Sequence, residues 1–236
     1  MNPAYTIKYL VRSVYYQYSH MRHRDHFREY RESEGEYSLR GFDKHRCIFI
    51  HIPKTAGISV NKALFGDYGG GHKDVTFYKR AFGPLTYRTY FTFTFVRNPY
   101  SRVLSAYLFL KKGGFYEKDK KWAEKHLSQY SSFGQFVEEW LNEETIHTYN
   151  HFVPQHSFVC DIDLVPDVDF IGRFEKLEED FQYIAGRLRL DVKLPVLNKT
   201  GSRRWEDYYT PELAEKVREV YREDFEVFGY DTEVNF

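Results

Sequence analysis

The sequence predicts an α/β protein with a central parallel β-sheet flanked by helices, and three observations predict it. A short, nearly continuous apolar run at residues 47–52, an aromatic and β-branched run at 90–96 and a third segment at 168–174 read as strands. Each gives way within a few residues to a segment of helical composition. Turn chemistry marks the junctions, with Pro53 closing the first run and Asn98-Pro99 the second. A strand apolar on both faces suits a sheet covered by helices on both sides.

The elements follow in chain order. Ile7, Leu10, Val11 and Val14 fall at helical spacing, so residues 4–19 read as an amphipathic helix. Such a helix is expected to pack on the domain, with an interfacial membrane helix as the other reading. Residues 22–43 are charged and poorly periodic, a loose connection or a surface helix. After the first strand, Gly57 to Phe65 has helical composition, and Tyr68-Gly69-Gly70-Gly71 forms a loop. Pro99 suits the first turn of a helix running through Leu104, Tyr107 and Leu108, and Lys111-Lys112-Gly113-Gly114 closes it. Helices are expected at 133–141, after Ser131-Ser132, and at 177–188, after the third strand. The last helix starts with Thr210 as N-cap and Pro211 at its first position, runs to about Phe228 and stops at Gly229. Residues 1–44 are thus expected to be a helical or extended N-terminal segment, and 45–236 a single domain.

Composition excludes several classes. The chain of 236 residues is 42% apolar and holds 21 Phe, 21 Tyr and 3 Trp, which rules out disorder and collagen-like repeats. Two cysteines, Cys47 and Cys160, make no disulfide framework. No apolar run approaches the roughly 20 residues of a membrane helix, and no secretory leader is recognisable, so a cytoplasmic location is expected. Lys and Arg number 34 against 34 Asp and Glu, which argues against a nucleic-acid partner bound by bulk positive charge. The balance hides polarity. Residues 76–132 hold 11 basic and 3 acidic groups, a net of +8, whereas residues 133–183 hold 2 and 12, a net of −10. An anion-binding half facing an acidic half is the reading this favours. His20, His23 and His26 recur every three residues, but no cysteine or carboxylate cluster joins them, so surface histidines and no metal are expected.

Two loops bear the chemistry. The first strand leads directly into Pro53-Lys54-Thr55-Ala56-Gly57-Ile58-Ser59 and a helix. Ligands of parallel sheets sit beyond the carboxyl ends of the strands, where a helix N-terminus offers unpaired N–H groups to a phosphate. Lys54 adds a point charge, Thr55 and Ser59 add hydroxyls, and Gly57 lets the backbone approach closely. This is not a Walker A loop, whose lysine comes near the end. The second strand ends in Val96-Arg97-Asn98-Pro99-Tyr100-Ser101-Arg102-Val103-Leu104-Ser105. There the Arg97 guanidinium and the Ser105 hydroxyl can converge on a second anion. Two such loops on successive strands predict a ligand with two separate phosphate groups.

These loops resemble those of the sulfotransferases that use 3′-phosphoadenosine 5′-phosphosulfate (PAPS), in particular the carbohydrate branch with the heparan 2-O- and chondroitin 4-O-enzymes. The 53–59 loop looks like that family's 5′-phosphosulfate loop, and Arg97-Asn98-Pro99 with Arg102 and Ser105 like its 3′-phosphate motif. His151-Phe152-Val153-Pro154-Gln155, Ile171-Gly172-Arg173-Phe174-Glu175 and Leu197-Asn198-Lys199-Thr200 are also similar, as is the segment from Tyr221 to Tyr230. The likeness spans about residues 45–230. It implies a P-loop-NTPase-like sulfotransferase fold, PAPS as sulfuryl donor with 3′-phosphoadenosine 5′-phosphate as product, and a saccharide or other hydroxyl-bearing acceptor. Lys54, Thr55, Ala56, Gly57, Ile58, Ser59, Arg97 and Ser105 would then hold the nucleotide. By the same likeness Lys199 and Thr200, beside Arg203 and Arg204, close over it. Golgi-resident members carry an N-terminal membrane anchor, which is not recognisable here.

Lys54 is the natural group to stabilise the departing 5′-phosphate. A histidine suits the task of removing the acceptor's proton near neutral pH. His72, after the glycine turn, resembles a catalytic histidine of the heparan 2-O-enzymes. His151 is its rival and otherwise, with Gln155, an acceptor contact, and Glu175 is a third candidate base. Two other classes compete: a P-loop-type nucleotide or small-molecule kinase, and a non-catalytic nucleotide- or glycan-binding module. The first needs a Walker A loop with a metal-holding carboxylate, a pairing the sequence does not show.

Overall fold

The computed structural model describes residues 3–160, 163–195 and 204–234. Its centre is β2 (Phe91–Val96), lying parallel between β1 (Cys47–Ile50) and β3 (Phe170–Arg173). Cys47 stands beside Phe91 and Ile50 beside Thr94, while Phe93 stands beside Phe170 and Val96 beside Arg173. All of β1 is buried, and only Phe91 of β2 is not, which fits the apolar run of β1 and the aromatic and β-branched run of β2. The two threonines in β2 have their hydroxyls satisfied. Thr94 donates to the Ile50 carbonyl at 2.8 Å, and Thr92 accepts from the Asp169 amide at 2.9 Å.

Thirteen α-helices surround this sheet among the described residues. The first three, α1 (Pro3–Arg22), α2 (Arg24–Glu32) and α3 (Arg40–His45), precede β1. The β1–β2 crossover holds α4 (Gly57–Phe65), α5 (Val75–Phe82) and α6 (Pro84–Thr89). Between β2 and β3 lie α7 (Pro99–Lys111), α8 (Glu117–His126), α9 (Phe133–Glu139) and α10 (His156–Val159). The chain continues through α11 (Leu177–Arg187), α12 (Pro211–Val220) and α13 (Arg222–Phe228).

The aromatic surplus fills two cores. One surrounds the sheet, where Phe49 and Phe93 stack at 5.0 Å between centroids. The other lies under α7, α9 and α12, built on Tyr107, Phe136, Trp140, Phe152 and Tyr221. Phe27, Leu39 and Phe42 join the sheet core, so the charged stretch 22–43 forms two docked helices rather than a loose connection. The third strand, Phe170–Arg173, is shorter than the 168–174 expected. The terminal helix is two helices, breaking at Tyr221, whose ring is wholly buried and whose hydroxyl donates to the Phe152 carbonyl at 2.6 Å. Gly229, in the left-handed region with φ 60°, ends the second piece as expected.

The first helix departs from expectation in its orientation. It does pack on α5, yet through Tyr16, Ser19 and His20. Arg80 donates to the Ser19 hydroxyl at 2.8 Å, and His20 Nδ1 lies 2.8 Å from the Arg80 carbonyl. Leu10, Val11 and Val14, the residues that suggested an inward apolar face, point to solvent.

Candidate active site

Beyond β1 the chain enters a strained loop. Lys54 has φ 72° and Ala56 φ 69°, left-handed values that cost a non-glycine residue roughly 1–2 kcal/mol each. Three bonds hold them. Thr55 donates its hydroxyl to the Ile52 carbonyl at 2.9 Å, and Arg102 Nε donates to the Pro53 carbonyl at 3.0 Å. Arg97 donates to the Lys54 carbonyl at 3.3 Å. The strain has a use: Ala56, the N-cap of α4, offers no side chain to the helix, which leaves its first N–H groups for an anion. Gly57 is required by its neighbour. A Cβ there would lie 1.8 Å from His51 Cδ2.

The Lys54 ammonium sits 3.8 Å from the centroid of the Phe109 ring. Burial, and after it the charges of Arg97 and Arg102, lower its pKa to about 8, with Asp119 opposing them. A phosphate bound there would supply the missing counter-charge.

The second loop forms where β2 hands over to α7. Asn98 caps α7, its side chain accepting from the amides of Tyr100 at 3.0 Å and Ser101 at 3.3 Å. Arg97 Nε donates to the Ser101 hydroxyl at 2.8 Å, and its guanidinium lies 4.1 Å from the Phe174 ring centroid. Burial lowers the Arg97 pKa to about 10, with Glu175 opposing. Ser101, half-buried Ser105 and Phe109 follow at four-residue spacing on one face of α7, from Arg97 toward Lys54.

A cavity of about 640 Å³ opens beside the first loop, lined by Lys54, Ala56, Gly57, Ile58, Ser59 and three histidines. His51 arrives from the end of β1, His72 from the glycine turn, and His151 from the connection between α9 and α10. The rings of His51 and His72 stand 4.5 Å apart, and those of His72 and His151 5.7 Å. Burial lowers His72 to about 4, helped by Lys118, Arg102 and Lys54, with Asp119 opposing. Burial and then His72 and Lys54 lower His151 to about 3, and His51 goes well below the usual imidazole range for the same first cause. All three are therefore unprotonated near pH 7. Asp119 is the carboxylate facing this group. It accepts from the Tyr149 hydroxyl and from the amides of Phe115 at 2.8 Å and Tyr116 at 2.9 Å. Burial would raise its pKa, but those bonds outweigh burial and leave it below the usual carboxylate range.

The fold therefore brings Lys54, the 56–59 loop, His72 and His151 around one cavity, with Arg97 joined through the Lys54 carbonyl. Thr55 is turned inward, fully buried on its own loop. Gln155 does not line the cavity. Wholly buried, it accepts from the Arg97 amide at 2.9 Å and donates to the Arg97 carbonyl at 2.8 Å. Glu175 accepts from the Asn98 amide at 2.8 Å and the Tyr230 hydroxyl at 3.0 Å, which ties the second loop to the C-terminal segment. Lys199, Thr200 and Arg203 lie outside the described residues, and Arg204 is exposed beside Glu206 at 3.3 Å. Sequence reasoning missed Asp119, which sits in the lysine-rich run Glu117-Lys118-Asp119-Lys120-Lys121 and looks like one more solvated charge. Its one sequence signal is Gly114, where a Cβ would come within 2.1 Å of the Asp119 Cβ.

A parallel sheet with two anion-ready loops beyond adjacent strands places the chain among the α/β proteins whose ligands bind at the carboxyl edge. Residues 38–231 match the family described as "Sulfotransferase family", and the chain belongs to it. It is similar to carbohydrate sulfotransferase 14 of Danio rerio, 28% identical over 232 residues that cover 80% of this chain and 60% of that protein. It is also similar to carbohydrate sulfotransferase 12 of Mus musculus, 25% identical over 249 residues, covering 80% of this chain and 58% of the relative. The chain thus spans about three fifths of the length of the curated relatives it matches. The family read from the two loops is borne out. The expected cytoplasmic location is not, because the carbohydrate sulfotransferases of this family are Golgi-resident membrane proteins. Among the described residues no helix is long and apolar enough to cross a membrane.

Proposed function

We propose that this chain moves the sulfuryl group of PAPS to a hydroxyl of a carbohydrate acceptor. One observation supports this most: Arg97 donates to the carbonyl of Lys54, so the two anion loops form one unit suited to a nucleotide phosphorylated at two positions. The carbohydrate acceptor rests on the names of the relatives.

In the proposed reaction the acceptor oxygen attacks sulfur in line while the bond from sulfur to the bridging phosphate oxygen breaks. The Lys54 ammonium and the uncapped N–H groups of α4 meet the charge gathering on the leaving 5′-phosphate. His72 takes the acceptor's proton, and its neutral ring at pH 7 is the required form. His151, which packs on Phe109 as Lys54 does, contacts the acceptor, and Arg97 with Ser105 holds the 3′-phosphate. Gln155 acts only through Arg97, by fixing its backbone on both sides.

Calorimetric titration with 3′-phosphoadenosine 5′-phosphate and with ATP tests the proposal. The 3′-phosphorylated nucleotide is expected to bind more tightly by at least tenfold, about 1.4 kcal/mol. Equal affinity would sink it and favour a kinase or a generic nucleotide binder. The pH profile of kcat/KM tests the assignment of roles. His72 loses its proton-accepting form only as pH falls through about 4, and the free Lys54 loses its charge as pH rises through about 8. A plateau between those limits is expected. An acid limb near the ordinary histidine value, about 6.5, would show that a solvated histidine is the base instead.

A further inference from the structure

The helix α1 is amphipathic the wrong way round for a helix that serves only its own domain. Its inward face is polar or weakly apolar, consisting of Ser13, Tyr16, Ser19 and His20. Its outward face is Leu10, Val11, Val14, Tyr15, Tyr18 and Met21, each more than half exposed, with Met21 at 67% and Val14 at 69%. Six large apolar side chains in one stripe mark an interaction surface rather than scattered exposure.

The spacing of the stripe points to its occupant. Val11, Val14, Tyr18 and Met21 are separated by three, four and three residues, and in the sequence the same alternation reaches back four more residues to Ile7. That is the 3.5-residue repeat of a two-helix seam, with Val11 and Tyr18 at a positions and Val14 and Met21 at d positions. The β-branched Val11 at an a position suits a parallel pair. Flanking positions agree. In a parallel pair Leu10 meets the partner's Tyr15, and Gln17 meets the partner's Arg22, so no like charges face each other. An antiparallel pair along the same seam sets Lys8 beside the partner's Arg22, a repulsion.

We propose that α1 pairs in parallel with α1 of a second copy of this chain, and that the enzyme is a dimer joined through this seam. The seam lies on the far side of the molecule from the cavity. The side of α1 that packs inward helps line a separate hollow with Thr92 and Asp169, at the amino ends of β2 and β3. Dimerisation therefore leaves the site open.

Sedimentation equilibrium of the full chain and of Val14→Glu tests this. The wild type is expected at twice the 28.4 kDa of one chain at micromolar concentration, and Val14→Glu at the monomer mass with an unchanged circular dichroism spectrum and melting temperature. Tyr18→Cys is expected to give an oxidant-dependent crosslinked dimer in a parallel pair. A wild type that stays monomeric overturns the proposal. So does a dimer that survives Val14→Glu, a failure of Tyr18→Cys to crosslink, or monomer that floats with phosphatidylcholine–phosphatidylserine vesicles through the same residues.

Discussion

Replacing Lys54 by alanine is expected to lower kcat by about 10²–10³-fold, the scale seen when one donor to a developing negative charge is removed. Three features put Lys54 at that point. It follows β1 directly, its backbone is held in the left-handed region by bonds from Arg97 and Arg102, and its ammonium rests on Phe109. Few rotamers satisfy all three, so the charge is positioned before the nucleotide arrives. The buried setting matters as much as the charge. With its pKa near 8, Lys54 is less satisfied in the free protein than a solvated lysine, and a phosphate restores what burial removed. The loss should therefore appear in kcat and in nucleotide affinity together. Lys54→Arg is expected to recover little, because a planar guanidinium is longer and presents its charge as a fork rather than a point. Steady-state rates with labelled donor, alongside calorimetry with 3′-phosphoadenosine 5′-phosphate, separate the two effects. An alanine variant that transfers at the wild-type rate would remove Lys54 from the mechanism while leaving family membership intact.

Asp224→Ala is expected to be the most destabilising single change near the site. Its carboxylate is wholly buried and accepts from the amides of Gln155 and His156, both at 2.8 Å, and its Oδ1 lies 2.9 Å from His156 Nδ1. Removing it strands two buried N–H groups and an imidazole, each costing about 1–3 kcal/mol, for a total of about 3–5 kcal/mol. For a chain of this size that is a fall in melting temperature of roughly 10 °C. The effect should reach the loop that begins at Arg97 as well. Gln155 clamps Arg97 through both its amide and its carbonyl, so loosening Gln155 frees the guanidinium proposed to hold the 3′-phosphate. The expected signature is reduced affinity for the 3′-phosphorylated nucleotide at a temperature where the variant is still folded, with ATP affinity less affected. Differential scanning calorimetry and nucleotide titration check the two halves. A melting temperature within 2–3 °C of wild type, about 1 kcal/mol, would mean that solvent or a neighbour replaces the carboxylate.

Much of the fold was legible because its signals are local. A strand buried on both faces is built of apolar, aromatic and β-branched residues, which marked β1 and β2. A proline in the first helical turn and a left-handed glycine at the end placed α7 and α13. The loops at 53–59 and 97–105 were legible for the same reason, since each is a contiguous strand–turn–helix unit. The inward face of α1 was misjudged because periodicity shows that a helix has an apolar face but not which body covers it. The choice between a connection and a helix in 22–43 stayed open because so few residues there reach the core, among them Phe27 and Phe42, too few to make a period.

The site divides along the same line. From the sequence alone came the family, the α/β class, the leading lysine, the arginine–serine loop and a short list of histidines, each tied to a segment only a few residues long. Only the tertiary structure decided that His51, His72 and His151 share one cavity, that Asp119 rather than Glu175 faces them, and that Gln155 serves Arg97 instead of lining that cavity. Those pairings join residues far apart in the chain. Nothing in a local pattern encodes them, because burial and charge at such a site are properties of the assembled packing and not of any one segment.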